Sequence, residues 1–194
     1  MEPVPLRHGS AKSDKCMEKS FFEMVEHRHS VRHFTADPVG KEEIAKMLKV
    51  ALDAPSSKNT RSSSFLVVED PERIARIARM RDFGSAFVEQ APLVILVMGD
   101  AVRSDLWVVN ASISATYLQL AAEALGLGNC WVHVEGRPCK KDEPDGMTAE
   151  EYLRTFLPIP EGRRVLCAVA IGHSSEAERP RAAHPEDAER VITL

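Results

Sequence analysis

Apolar residues recur with two different periods along the chain, and the two periods alternate. Between Pro38 and Pro55 they return every three or four residues, which predicts an amphipathic helix that ends before Pro55. A shorter pattern of the same kind predicts a first helix over residues 21–28. Continuous apolar runs instead predict short buried strands, at residues 64–69, 93–98, 129–134 and 165–171.

Capping residues mark the start of two further helices. Asp70 followed by Pro71 places an N-cap and a proline at the first helical position, ahead of apolar residues at helical spacing. Thr148 with Glu151 gives the signal of a capping box. Residues 137–146, which precede this second helix, are rich in charge and contain two prolines, so they are predicted to form a surface loop.

The longest predicted helix covers residues 105–125, and its apolar residues lie on more than one face. Such a helix is expected to be buried nearly all round, so it either runs through the core or packs against a second subunit. Its many small residues suit a close approach between helices, and Gly126 and Gly128 are expected to end it. The alternation of helices and strands indicates an α+β or α/β sandwich with a central mixed sheet.

Composition indicates one domain without nucleic-acid or membrane partners. The 194 residues are 44% hydrophobic, enough for one core but not for two independent domains. A formal net charge of -4 argues against a nucleic-acid binder, and the longest apolar run is far shorter than the ~20 residues of a membrane span. Residues 1–17 lack the apolar region of a secretory signal. They are predicted to be a flexible arm ahead of one domain over 18–194.

The four cysteines are widely and irregularly spaced, at positions 16, 130, 139 and 167. In a chain without an export signal, this spacing favours reduced thiols and a cytoplasmic protein. Cys130, His133 and Cys139 leave the fourth ligand of a zinc site unaccounted for. His29 and His33 are four residues apart but have no carboxylate or cysteine at ligand spacing. No metal site is therefore predicted.

One short segment stands out chemically, because Arg28 and Arg32 place two guanidinium groups close together in a chain that is acidic overall. At a helix end this spacing would put both on one face, with the Ser30 hydroxyl and unpaired backbone N–H groups nearby. That arrangement favours the binding of an anion such as a phosphate. The alternative is a solvated basic helix end, since Lys and Arg favour the last turn of a helix.

Five segments in a fixed order resemble the nitroreductase-like family of FMN-dependent oxidoreductases. They are Arg28-His29-Ser30-Val31-Arg32-His33-Phe34, Ala54-Pro55-Ser56-Ser57-Lys58-Asn59, the Ala-Leu-Gly-Leu-Gly-Asn-Cys-Trp run at 124–131, Val134-Glu135-Gly136, and the stretch from Ile159-Pro160-Glu161-Gly162 to Val169-Ala170-Ile171-Gly172. The resemblance covers roughly residues 18–181. It implies an α+β sandwich, with a central mixed β-sheet flanked by helices, that forms an intertwined homodimer with two FMN molecules at the subunit interface.

The resemblance also implies roles for particular residues. Arg28, His29 and Ser30 would bind the phosphate and ribityl part of FMN, and Arg32 would lie near N1 and the C2 carbonyl, where its charge favours the anionic reduced flavin. The remaining binding residues would be Pro55, Ser56, Ser57 and Asn59 from the other subunit, Val134, Glu135 and Gly136 beside the flavin ring, and Arg179 and Arg181 on the phosphate. Within the second group, the Glu135 and Gly136 backbone N–H groups would point at flavin N5 and O4.

Each of these elements also has a simpler interpretation that the sequence leaves open. Arg32 could belong to a surface ion pair, and residues 55–59 could be an ordinary loop that ends a helix. Gly136 could be a turn glycine without a ligand, and residues 179–181 an exposed basic tail.

The implied reaction is a ping-pong exchange in which NADH or NADPH reduces the flavin and leaves before an electron-poor acceptor, such as a nitroarene or quinone, takes the electrons. No catalytic side chain is required, because hydride transfer at flavin N5 is the chemistry of the cofactor. The chain has no glycine fingerprint of a dinucleotide-binding fold, so NAD(P)H is expected to bind transiently as a substrate.

One departure from the family pattern concerns Thr60-Arg61-Ser62-Ser63-Ser64, which stands where many members have a Gln-Pro-Trp-like segment. Small polar residues replace a rigid proline and an aromatic ring there, which is expected to alter the edge of the acceptor pocket. Two alternatives follow: a flavin-binding carrier or sensor without turnover, or a different flavin reaction on the same fold, such as flavin cleavage or dehalogenation.

Overall fold

A four-stranded antiparallel sheet forms the centre of the computed structural model, which describes residues 20–176 and 190–193. The strands are β1 (Ser63–Val68), β2 (Leu93–Asp100), β3 (Gly128–His133) and β4 (Arg163–Gly172), in the spatial order β1-β2-β4-β3. The predicted strands are therefore confirmed, but the prediction of a mixed sheet is wrong for these four, because every neighbouring pair is antiparallel. Apolar periodicity identifies strands without indicating their direction.

Five helices surround the sheet within the described residues: α1 (Phe21–His27), α2 (Lys41–Leu52), α3 (Pro71–Ala78), α4 (Trp107–Ala124) and α5 (Ala149–Arg154). The capping predictions are confirmed. The Asp70 carboxylate accepts from the N–H groups of Glu72 and Arg73 at 2.9 and 3.3 Å, and Thr148 and Glu151 form a capping box. None of the helices in these ranges has the length and apolar character needed to cross a bilayer.

The two central strands bury both of their faces. On β2, Leu93, Ile95 and Val97 pack against α2 and α4, whereas the alternate residues pack against α3 and α5. Strand β4 is buried in the same way. The sheet is thus covered by helices on both sides, and only β1 and β3 lie at its edges.

Helix α4 is buried on one face only. Residues that face the sheet are buried, whereas Val108, Val109 and Tyr117 are exposed. The expectation that this helix is buried nearly all round is therefore wrong for a single chain, because the described part of the chain covers one face and leaves apolar side chains on the other. Of the two alternatives, packing against a second subunit remains.

Two glycines at the end of α4 have different roles. Gly126 has φ of 74° and ends the helix, as predicted. Gly128 instead belongs to β3, and a Cβ atom there would come within 2.8 Å of Val31 Cγ1. Gly128 therefore allows the segment around Val31 to lie directly against the edge strand β3.

Candidate functional site

Residues 28–34 are not part of a helix. Ser30 and Val31 pair with the edge of β3, and Phe34 pairs with Ser174 after β4. Helix α1 ends at His27, and Ser30 forms a parallel bridge with Asn129, next to which the Val31 N–H donates to the Asn129 oxygen at 3.0 Å. The expectation that Arg28 and Arg32 project from one face of a helix end is wrong, because pairing with a strand edge extends the chain. In an extended segment, residues two apart lie on the same side, so Arg28, Ser30 and Arg32 still converge.

The same three residues influence the buried thiol of Cys130 on the neighbouring strand β3. Burial raises the pKa of Cys130, whereas the charge of Arg32, a hydrogen bond with Ser30 and the charge of Arg28 lower it. Arg28, Ser30 and Arg32 therefore all act on the same thiol of β3. In a chain that is acidic overall, this is a local positive site.

Within this site, the backbone already holds an anion. The Oε1 atom of Glu176 accepts from the N–H groups of Arg32 and His33 at 2.7 and 3.1 Å, and its Oε2 atom lies 3.9 Å from His29 Nε2. The Arg32 N–H first, and then the His33 N–H with the charges of His33 and His29, hold the pKa of Glu176 below its usual range. Two consecutive N–H groups that meet one oxygen form an anion-binding concavity.

A cleft of about 460 Å³ opens beside this concavity and is lined by Ser30, Arg32, His33, Gln90, Ser175 and Glu176. His29 Nε2 is buried and has no hydrogen-bond partner in the described ranges. A buried donor or acceptor without a partner is unfavourable, so His29 has a nitrogen available for a further polar group. The sequence reasoning missed Glu176, because its contacts with Arg32 and His33 join residues more than 140 positions apart.

The turn after β3 is closed differently from the expectation. The N–H groups of Val134 and Glu135 both donate to the Leu166 oxygen of β4, at 3.0 and 3.1 Å. The Glu135 N–H is therefore already paired within the chain, and its expected contact with a flavin stays a prediction. Gly136 has φ of 63°, and a Cβ atom there would meet nothing within 4 Å, so the space beside this peptide is open.

A second residue that the sequence reasoning missed, Arg81, lies beside this turn. Arg81 Nη1 donates to the His133 oxygen at 3.1 Å, and its guanidinium stacks on Phe83, 4.1 Å from the ring centroid. Burial first, and then the positive charge of Arg137, lower the pKa of Arg81. Burial and the charges of Arg137 and Arg81 also lower the pKa of His133, which favours its neutral form. In the sequence, Arg81 looks like any solvated charge after a helix.

The loop at 55–59 contains a short 3₁₀ turn over Ser57–Asn59. Lys58 and Asn59 both have φ of 51°, and Arg61 has φ of 46°. Positive φ is unusual for residues with a Cβ atom. The Ser57 N–H donates to Asn110 Oδ1 on α4 at 2.9 Å, so a buried side chain fixes one point of this loop.

Within one chain, the loop at 55–59 and the positive site lie on opposite edges of the sheet. The loop leads into β1 at Ser63, whereas Ser30 adjoins β3. Three strand spacings separate these edges, about 14 Å. The two elements are also offset along the strand direction. Ser63 is aligned, through Gly99, with Arg164 near the start of β4, whereas Asn129 is aligned with Ile171 near its end. This offset along β4 adds a distance on the order of 20 Å. One small ligand therefore does not meet both elements of the same chain.

The remaining predictions concern two terminal segments, a metal site and the cysteines. Arg179, Arg181 and the arm at 1–17 lie outside the described residues. In the ranges that the structure covers, no group of three or more His, Cys, Asp or Glu residues could hold a metal ion. Cys130, Cys139 and Cys167 are free thiols.

Known proteins share both the sequence and the fold. Residues 25–81 and 77–173 match the family model described as the nitroreductase family. A putative NADH dehydrogenase/NAD(P)H nitroreductase of Archaeoglobus fulgidus is 32% identical over 157 residues, which cover 79% of this chain and 84% of that protein. The FMN reductase (NAD(P)H) of Bacillus subtilis is 26% identical over 182 residues, covering 81% and 68%. An FMN-dependent nitroreductase from Clostridium difficile R20291 superposes with a TM-score of 0.81 at 36% identity, covering 88% and 96%.

Replacing Glu176 by Gln should destabilise the ligand-free protein at neutral pH but not in acid. Because the pKa of Glu176 is lower in the folded chain than in the unfolded chain, the carboxylate stabilises the fold above the usual Glu range. This stabilisation is lost as the pH falls through the lowered pKa. Urea unfolding of wild type and Glu176→Gln should therefore differ at about pH 7 and coincide at about pH 3.

The control for this prediction is Glu161→Gln, which changes an exposed carboxylate in the turn before β4. Its unfolding free energy should follow that of the wild type at both pH values. An equal destabilisation of Glu176→Gln at both pH values would contradict the role given to the charged carboxylate.

Proposed function

The chain belongs to the nitroreductase family, and from that premise we propose that it is an FMN-dependent NAD(P)H oxidoreductase that passes two electrons to an electron-poor acceptor such as a nitroarene or quinone. The observation that supports this most is the anion-binding concavity at Arg32 and His33. It lies beside Arg28 and Ser30, which are the residues that the family resemblance assigns to the phosphate and polyol of FMN.

The residues present fit the cofactor. FMN carries a doubly charged phosphate, a polyol chain and a flat ring system, so it needs cations, hydroxyl partners and backbone donors. Arg28 and Ser30 supply the first two, and His29 Nε2 adds a polar atom without a hydrogen-bond partner. In the family pattern, Arg179 and Arg181 would add cations at the phosphate. Arg32 and the Val134–Gly136 turn lie along the exposed edge of β3, where the ring system would bind.

Bound FMN supplies the redox chemistry, exchanging a hydride at N5 with NAD(P)H and then with the acceptor. The chain's own residues orient it and tune its charge. Arg32 places a fixed positive charge at one end of the site, and Arg81 places a second one beside the turn at the other end. Such charges stabilise negative charge that develops on reduction. Val134 and Gly136 line the approach to the ring, and Gly136 leaves it open.

We propose a homodimer in which Pro55, Ser56, Ser57 and Asn59 of one chain close over the FMN held by the partner. Two observations support it. The loop and the positive site of one chain lie on opposite sheet edges, and apolar side chains on α1, α2 and α4 are exposed. A groove of about 390 Å³ between these helices is lined by Phe21, Met24, Val50, Tyr117, Leu120, Ala121 and Ala124.

The carrier or sensor alternative was suggested by the unusual segment at 60–64. In the structure Ser62 is fully buried, and Thr60 and Ser62 accept hydrogen bonds from Asn110. Thr60 and Ser62 therefore face inward and anchor the loop. Their small polar side chains are explained by these contacts and give little support to the loss of an acceptor pocket. Turnover with an acceptor distinguishes the two functions.

The proposed reaction predicts three optical steps. Purified protein should show flavin absorption, lose it when NADH or NADPH is added without oxygen, and regain it when a quinone or nitroarene follows. Measurement of the flavin bands in an anaerobic cuvette checks each step. Flavin that stays oxidised with both nucleotides would favour the carrier, and protein that binds no FMN would overturn the assignment.

Arg28→Ala should weaken FMN binding, because it removes a charge-assisted hydrogen bond to the phosphate. The expected loss is about 1.5 to 3 kcal/mol, or roughly 10- to 150-fold in Kd. Titration of the apoprotein with FMN measures it. Arg79→Ala, which removes an exposed arginine at the end of α3, serves as control and should bind as wild type does. Equal affinities for Arg28→Ala and wild type would remove Arg28 from the site.

Assembly and FMN binding should fail together. Tyr117→Asp places a charge in the apolar groove, and an obligate interface of about 2,000 Å² or more tolerates no buried, unpaired charge. The variant should therefore shift from a mass of two 21.5 kDa chains toward that of one chain. It should also bind FMN more weakly. Sedimentation with parallel FMN titration measures both, with Thr155→Asp at the exposed end of α5 as control. A monomer that still binds FMN tightly would contradict the shared site.

A further inference from the structure

A buried amide on α4 connects four separate points of the chain. Asn110 is 1% exposed. Its Oδ1 accepts from the Ser57 N–H at 2.9 Å, and its Nδ2 group has three hydroxyl acceptors, Ser62 Oγ at 2.9 Å, Ser104 Oγ at 3.2 Å and Thr60 Oγ1 at 3.3 Å. An amide nitrogen carries two protons, so these acceptors fully occupy it. The orientation of the amide is fixed, because only an oxygen accepts from the Ser57 N–H.

The amide is satisfied only while the loop keeps its present conformation. Ser57 and Thr60 belong to the loop, and Ser62 directly precedes β1. If the loop moved away, the Asn110 oxygen would lose the Ser57 N–H group and the Asn110 nitrogen would lose the Thr60 hydroxyl. Buried polar groups without partners are unfavourable in an apolar environment. Asn110 thus couples the shape of the loop to the packing of α4 on the sheet.

The loop needs such a restraint because its backbone is strained. Lys58, Asn59 and Arg61 all have positive φ, although none of them is glycine. Residues in this region persist only where their surroundings determine the conformation. Asn110 contacts the chain on both sides of the strained residues, at Ser57 before them and at Ser62 after them.

We propose that Asn110 is a positioning residue, which holds Ser56, Ser57 and Asn59 in the conformation that meets the FMN of the partner subunit. This inference rests on the proposed function. It also gives a role to the polar segment at 60–62, which supplies the hydroxyl partners of Asn110 in place of the proline and aromatic residue that many relatives have there. Asn110 acts through the loop and does not itself contact the cofactor.

The matched control is Ser114, one helical turn further along α4. It is also buried, and its hydroxyl bonds the Ser63 hydroxyl of β1 at 2.9 Å. Ser114→Ala therefore removes a buried polar contact between α4 and the β1 region, while the hydrogen bonds that Asn110 makes to the loop stay in place. A general loss of stability would affect Asn110→Ala and Ser114→Ala alike, whereas a positioning role affects only the first.

Two readouts test the proposal, and the first does not involve FMN. Lys58 within the loop and Arg61 directly after it are exposed trypsin sites. Cleavage of a folded protein follows the population of the locally open form. In apoprotein, Asn110→Ala should be cut at these sites about tenfold faster than wild type, and Ser114→Ala at the wild-type rate. The second readout is the Kd for FMN, which Asn110→Ala should raise about tenfold or more while the dimer persists.

The milder Ser62→Ala variant removes one partner of the amide, and should move both readouts in the same direction if Asn110→Ala does not fold. If the wild type binds FMN and Asn110→Ala and Ser62→Ala bind it equally well, the positioning role is overturned and the proposed function stands. Equal acceleration of cleavage in Ser114→Ala would also overturn the positioning role. If the wild type binds no FMN, the proposed function is overturned instead. The trypsin readout does not need FMN, so it still tests whether Asn110 holds the loop.

Discussion

The candidate site depends on one contact at the sheet edge, the pairing of Ser30 and Val31 with the start of β3. The hydrogen bond from the Val31 N–H to Asn129 fixes the register, and the missing side chain of Gly128 lets Val31 come close enough to form it. An unpaired edge strand exposes N–H and C=O groups that tend to pair with other chains. Here the pairing protects one end of β3 and at the same time turns the N–H groups of Arg32 and His33 toward the cleft. Stability and ligand binding thus share the same backbone.

The antiparallel sheet then separates the two halves of the proposed site. Because β1 and β3 lie on opposite edges, the loop at 55–59 is too far from the positive site of its own chain to share a ligand with it. In the proposed homodimer, a second copy would resolve this separation and would also cover the apolar side chains on α1 and α4 that are exposed in one chain. In such an assembly a bound cofactor stabilises the dimer, since ligand binding to the folded state adds to its stability.

Local signals in the sequence predicted most of the elements, and long-range contacts explain what they missed. The caps at Asp70 and Thr148 and the apolar runs located α3, α5 and the strands, because those signals act within a few residues. Strand direction, the extended path of residues 28–34 and the bond from the Glu135 N–H to Leu166 depend on partners distant in sequence. Asn110 and Glu176 escaped prediction for the same reason: an amide in an apolar helix and an acid in a polar tail show nothing unusual until their partners are known.

Charge balance explains why so many cations are gathered in one place in an acidic chain. The concavity at Arg32 and His33 already holds the Glu176 carboxylate, so a phosphate bound beside it adds up to two further negative charges at neutral pH. Three negative charges so close together would repel one another strongly in a partly buried site. The guanidinium groups of Arg28 and Arg32 supply two positive charges that offset part of this repulsion. In the proposed arrangement, the Glu176 carboxylate keeps the N–H groups of Arg32 and His33 paired in the ligand-free protein, and the arginine side chains would hold the phosphate.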